Sequence, residues 1–134
     1  MNNFHTGENL LSTACEYYEE MLRAYERGSW NIVVRRAQEV VELSLKGLLK
    51  MMGVEYPKSH DVGGVFRRIC IEMGLKVNSE KLDELEQISS DLAEDRAPAF
   101  YMERAYSKQE ADKAKDDAGK VLNFARSFAK MLED

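Results

Sequence analysis

Apolar residues recur through most of this chain at the three- and four-residue spacing of helices that bury one face. Leu10, Leu11, Ala14, Tyr17, Tyr18, Met21, Leu22 and Tyr25 keep that spacing with charged residues between them, which predicts a first helix over residues 8–27. Gly28 and Ser29 interrupt it, and Ser29 or Asn31 is placed to cap a second helix running to about Met52, with Gly53 as its stop. The apolar positions of this second helix, from Val33 and Val34 through Leu48 and Leu49 to Met52, cover about half its circumference, so it is expected at the centre of the fold. Arg35, Glu39, Glu42, Lys46 and Lys50 form its opposite stripe and read as a solvated face.

Residues 54–59, with Pro57, read as a loop. Asp61 or Ser59 then caps a short third helix with Val62, Val65, Phe66, Ile69, Cys70 and Met73 inward, closed by Gly74. The pair Gly63-Gly64 in its first turn implies either close backbone packing or a mobile helix start. Ser79 caps a fourth helix with Leu82, Leu85, Ile88, Ser89 and Leu92 on one narrow stripe and acidic residues outside, ending near Glu94. Ser107 and Glu110 make a capping box for a last helix whose inward face runs from Ala111 and Ala114 to Phe128 and Leu132. Its charge-dense stretch, residues 108–120, reads as a solvated face. No alternating β-branched run with hairpin turns is present. The expected architecture is all-α, an antiparallel up-and-down bundle of about five helices in a single domain over residues 1–134.

Composition narrows what such a bundle does. The formal charge is −5, from 19 Lys and Arg against 24 Asp and Glu, which argues against a protein that binds nucleic acid through a general basic field. The charge is segregated, however, with +2 over residues 30–52 and −5 over residues 79–106. Cys15 and Cys70 stand alone inside apolar patterns and read as buried thiols. His5 and His60 lack a His or Cys partner at ligand spacing, so no metal site and no cofactor are expected. With neither a membrane-spanning run nor a recognisable signal, the expected location is cytoplasmic.

One segment exceeds structural need. Residues 95–106 lack the Gly and Ser of a flexible linker and carry Phe100, Tyr101 and Tyr106 instead. Pro98 biases Ala97 away from helix, so the stretch reads as a packed loop. Arg96 and Arg104 supply planar donor forks suited to phosphate or carboxylate, and Tyr101 can stack on a base. These four residues, Arg96, Tyr101, Arg104 and Tyr106, are the candidate nucleotide- or partner-binding set. The competing expectation is that Arg96 pairs locally with Asp91 or Asp95 while the tyrosines seal the bundle end.

Gly28-Ser29-Trp30, the run from Arg36 to Leu49, Ser59-His60-Asp61-Val62 and Arg96-Ala97-Pro98-Ala99-Phe100-Tyr101, in that order on consecutive helices, resemble the HEPN family of small helical proteins. The resemblance implies a helical bundle that commonly dimerises and is often encoded beside a minimal (MNT-type) nucleotidyltransferase. Some relatives are metal-independent ribonucleases or toxins that need an Arg followed after four to six residues by a His. In this chain Arg96 is followed at those positions by Tyr101, Met102 and Glu103, and no His lies beyond His60. Ribonuclease chemistry needs a group that exchanges a proton near neutrality; Arg96 supplies only the cation, and a tyrosine such as Tyr101, with an ordinary pKa of about 10, is a poor base. Arg96, Tyr101 and His60 are therefore weak catalytic candidates. The expectation is a non-catalytic homodimeric module that binds a nucleotide or a partner nucleotidyltransferase, as in a toxin–antitoxin pair. The alternatives are a ribonuclease acting on RNA through Arg96, or a substrate for nucleotidylation at Tyr101 or Tyr106.

Overall fold

The computed structural model of the chain describes residues 2–133 as five helices: α1 (Asn3–Glu26), α2 (Trp30–Met51), α3 (Gly63–Glu72), α4 (Ser79–Phe100) and α5 (Lys108–Glu133). No strand occurs among the described residues. The helix α2 is central and packs against each of the other four, with α1 and α5 its most extensive neighbours. Val33, Val34, Ala37, Val40, Leu45, Leu48 and Leu49 are all but inaccessible to solvent, as a helix apolar over half its circumference requires. One core cluster draws on all five helices.

Two close approaches set the spacing of the bundle. Gly7 of α1 and Gly47 of α2 face each other: a Cβ on Gly7 would overlap the Gly47 carbonyl oxygen, and one on Gly47 would stand 2.9 Å from the Gly7 carbonyl oxygen. At Gly63, the start of α3 is pressed onto α4, where a Cβ would sit 2.7 Å from Ser89 Cβ and 2.9 Å from Glu86 Cα. Close packing is thus the reason for glycine at this helix start. The Gly63 N–H is shared between Asp61 Oδ1 at 3.3 Å and Ser89 Oγ at 3.2 Å, and the Ser89 hydroxyl donates to Asp61 at 2.7 Å. Asp61 therefore caps the first turn from one residue before the N-cap position, which Val62 occupies.

Several boundaries differ from expectation. The helix α1 begins five residues earlier, because the Asn2 side chain accepts the His5 N–H at 2.8 Å and Phe4 packs on the core. Ser29 takes the N-cap position of α2 without a side-chain bond, and Asn78 rather than Ser79 caps α4, accepting the Glu80 N–H at 2.7 Å. Met73 is half exposed instead of inward, and Asp117, in the supposedly solvated face of α5, is buried beside Lys113 at 2.6 Å. The capping box of α5 is formed in both directions: Ser107 Oγ accepts from Glu110 N at 3.1 Å, and Glu110 accepts from Ser107 N at 3.0 Å.

The largest difference lies in the aromatic segment. The helix α4 does not stop near Glu94 but continues through Pro98 to Phe100. A proline inside a helix forfeits one backbone bond and costs about 3 kcal/mol. Here that cost falls in the last turn, where tertiary contacts hold the helix: Ala99 is buried, and Asn31 at the start of α2 donates to the Ala99 carbonyl at 3.2 Å.

The glycine contacts predict opposite effects of one added methyl group. Gly7→Ala is expected to destabilise the fold by about 1–3 kcal/mol because the obstacle is backbone. Gly64→Ala meets only the flexible end of Glu86, at 3.0 Å, and is expected to be neutral or to stabilise by up to about 1 kcal/mol. Urea denaturation of the two variants measures both.

Candidate functional site

The stripe of α2 expected to face solvent is instead a half-buried polar seam. The side chains of Glu39, Glu42 and Lys46 are only 14%, 13% and 12% exposed. Gln38, which the periodicity of the sequence does not single out, is its keystone at 1% exposure. Its amide nitrogen donates to Glu42 at 2.9 Å and to the His60 carbonyl at 3.3 Å, while its amide oxygen accepts from Arg96 Nη1 at 2.5 Å. The Arg96 guanidinium also stands 4.0 Å from Glu39. Arg96 therefore pairs across the helix interface, not locally with Asp91 or Asp95. The side chain of a residue on α4 is directed by what α2 offers it.

His60 joins the same seam from the loop before α3. Its Nδ1 lies 2.9 Å from Glu42 Oε1, which fixes the ring with Nε2 as the remaining nitrogen, and the side chain is 56% exposed. Glu42 also takes Lys46 at 2.8 Å. Burial pushes the Glu42 carboxyl up, but hydrogen bonds from Gln38, Lys46 and His60 outweigh it and hold the group below its ordinary value. One amide thus links His60 and Arg96, residues 36 positions apart in sequence.

Arg104 and Tyr106 belong to a different place. They line a cleft of about 320 Å³ between α4 and α5, together with Asp91, Asp95, Glu110 and Lys113. The Arg104 guanidinium stacks 4.3 Å over the Tyr106 ring and is bonded to Glu110. Tyr106 is buried, and its hydroxyl donates to Asp95 at 2.8 Å. Burial raises the Tyr106 pKa, and the Asp95 carboxylate adds to the effect. Of the two tyrosines, only Tyr106 seals the bundle; Tyr101 is 69% exposed, edge-on to Phe100 at 4.8 Å. The four residues read as one binding set do not converge on one cavity. Arg96 lies in the seam, Arg104 and Tyr106 in the α4–α5 cleft, and Tyr101 at the surface beyond α4.

The turn after α4 is organised by a residue that sequence reasoning considered only as a helix cap. The Asn31 amide donates to the carbonyls of Ala99 and Arg104, the latter at 2.8 Å, and its oxygen accepts the Tyr106 N–H at 2.9 Å. On α3, the burial of Cys70 pushes its thiol up to about 11, leaving it unreactive at neutral pH. Among the described residues no cluster of three or more His, Cys, Asp or Glu is placed to hold a metal ion, and no helix is long and apolar enough to cross a membrane.

An all-helical bundle with this order of elements defines a fold class that comparison makes specific. The HEPN domain family model matches residues 8–128, and the chain belongs to that family. It is similar to the crystal structure of ST0689, an archaeal HEPN homologue, with a TM-score of 0.70 at 21% identity, over 92% of this chain and 97% of that one. A comparison with curated proteins finds no match.

The depressed Glu42 pKa gives the seam a definite acid response. Because the folded value lies below the ordinary 4.5, the stabilisation is fully present above that pH and is lost as the pH falls through the folded value. Glu42→Gln is expected to lower stability at neutral pH by on the order of 1–3 kcal/mol and to flatten the fall below about pH 4.5. Thermal unfolding across a pH series reads both effects.

Proposed function

We propose that this chain is a non-catalytic HEPN module that acts as a homodimer and binds a partner minimal nucleotidyltransferase, a nucleotide, or both, as one member of a toxin–antitoxin-like pair. The carrying observation is the state of Arg96. The arginine at the family's catalytic position is engaged by Gln38 and Glu39, and the residues where a histidine would follow are Tyr101, Met102 and Glu103, all exposed on the turn after α4. A phosphate bound at Arg96 has to compete with Glu39, and one at Arg104 with Glu110 and Asp95. A protein partner asks for no such exchange, since Phe100, Tyr101 and Met102 are already presented to solvent. Protein binding is therefore the stronger half of the proposal.

A second reading, a metal-independent ribonuclease, is favoured by one observation: Gln38 connects Arg96 with His60, whose Nδ1 is oriented by Glu42. The imidazole is joined to the arginine at one remove, through the Glu42 carboxylate that both His60 Nδ1 and the Gln38 amide nitrogen share. A third reading, nucleotidylation, falls on Tyr101 rather than Tyr106. Tyr101 is exposed and its hydroxyl has no hydrogen-bond partner among the described residues, whereas that of Tyr106 is buried against Asp95.

Affinity purification from native lysate separates these readings. Recovery of a nucleotidyltransferase without RNA supports the module. RNA cleavage abolished in both Arg96→Ala and His60→Ala supports the ribonuclease instead. Incubation with the recovered enzyme and ATP, followed by intact-mass analysis, is expected to give an adduct, if any forms, that disappears in Tyr101→Phe and persists in Tyr106→Phe.

A further inference from the structure

We infer that the groove between α4 and α5 is a docking site for an extended, lysine- or arginine-bearing segment of a protein partner. The inference rests on the protein-binding half of the function proposed above and gives it a location and a partner chemistry. Both helices pack on α2 yet barely touch each other, so a channel with Val34 of α2 on its floor stays open between them. Two cavities, of about 320 and 520 Å³, share Asp91, Lys113 and Asp117 and form one channel from Glu84 and Lys120 at one end to Asp95 and Glu110 at the other. At 1.5 Å per residue, the stretch of α4 from Glu84 to Asp95 is roughly 17 Å long, the reach of about five extended residues.

The channel is short of cations. Seven carboxylates line it against Arg104, Lys113 and Lys120. Arg104 is engaged by Glu110 and the Tyr106 ring, and Lys120 reaches Glu84 only at 3.8 Å. Asp91 accepts the Gln87 amide at 2.8 Å but, like the exposed Glu94, forms no ion pair among the described residues.

A second observation, independent of this excess, comes from Asp117. The residue is 8% exposed and lines both cavities, and its sole ion partner among the described residues is Lys113 at 2.6 Å, whose own side chain is 69% exposed. A carboxylate buried to that degree is ordinarily held by several fixed partners. Lys113 is held above its ordinary pKa, first by the Asp117 hydrogen bond and further by the charges of Asp91 and Asp95. The channel thus already draws one ammonium from a surface side chain in among three carboxylates. A peptide ammonium meets the same groups, while its methylene stem lies over Ile88, Leu92 and Ala114. In an extended segment every second side chain faces the channel at intervals of about 6.6 Å, close to the roughly 6 Å rise between Asp91 and Asp95.

Fluorescence anisotropy of a labelled Lys-Ala-Lys-Ala-Lys peptide, titrated with the full chain at physiological ionic strength, tests the inference. The peptide is expected to bind with a dissociation constant of about 100 µM or tighter, and Glu-Ala-Glu-Ala-Glu not to bind over the same range. Asp91→Asn and Asp117→Asn are each expected to weaken binding at least about fivefold, and the half-buried Asp91 keeps the test independent of any folding defect in Asp117→Asn. Glu19→Gln, which removes the same charge from an exposed position on α1, is expected to leave the affinity within about twofold. Lys113→Gln removes the cation with which the peptide competes and is expected to tighten binding at least about threefold, whereas Lys130→Gln, exposed near the other end of α5, is not. No binding, or equal responses to channel and remote variants, overturns the groove and leaves partner binding standing. Spermidine that competes at the peptide's own affinity overturns the protein segment in favour of a polyamine. Peptide binding that obeys the channel variants while native lysate yields no protein partner overturns the functional reading and leaves the chemistry of the channel.

Discussion

Surrounding α2 on every side is the constraint from which the rest of the structure follows. A helix with four neighbours keeps little solvated face on which to place polar side chains, so each polar group on its buried side must find a partner within the bundle or carry a penalty of about 1–3 kcal/mol. Gln38 meets that demand by using its amide in both directions, to Glu42 and the His60 carbonyl through nitrogen and to Arg96 through oxygen. The α2–α3 loop and the α4 helix are thereby tied to the same point. Apolar burial brings these elements together without specifying their angular register; the hydrogen bonds of one amide do specify it.

The same demand explains why α4 survives its proline. An isolated sequence ending in Arg96-Ala97-Pro98 would be expected to leave the helix there. Here Arg96, two residues earlier, is anchored on Gln38, and Ala99, one residue later, is buried with its carbonyl bonded to Asn31. With both sides of the proline held by α2, local preference is overruled by tertiary contact. The consequence is geometric: Phe100 remains helical, and the turn to α5 is displaced outward, where Tyr101 and Met102 meet solvent.

Much of the fold was legible in the sequence because helical periodicity and burial report the same physics. The five helices, the central place of the second and the Ser107–Glu110 capping box all follow from residue spacing, and the short motifs along them pointed to the family. The site was legible only in part. Arg96 and His60 drew attention as side-chain types, but their connection runs through Gln38, which sits among the apolar residues of α2 and carries no charge to mark it. Asn31 was hidden in the same way: a residue suited to helix capping serves a turn nearly seventy positions later. Long-range hydrogen bonds by neutral amides leave no trace in hydropathy or charge patterns. Arg96, Arg104, Tyr101 and Tyr106 were grouped by nearness in sequence, yet a helix turns about 100° per residue and distributes neighbours around its axis. Once α4 extends to Phe100, Asp95 and Arg96 face different partners, Tyr106 and Gln38 respectively.

That angular separation bears on function more than the identity of any one residue. Had residues 95–106 formed a free loop, two arginines and two tyrosines could have closed around one phosphate. As a helical end followed by a pinned turn, the segment commits each arginine to carboxylates or amides of its own chain, and a ligand anion must compete with groups that are already close. Phe100 and Met102 are held more loosely, one under the Arg35 guanidinium and the other accepting from the Asn31 amide through sulfur, and both stay more than half exposed. Their exposure is maintained by a left-handed methionine and a buried-side asparagine bond, features that stabilise the presentation of a surface rather than the enclosure of a small molecule.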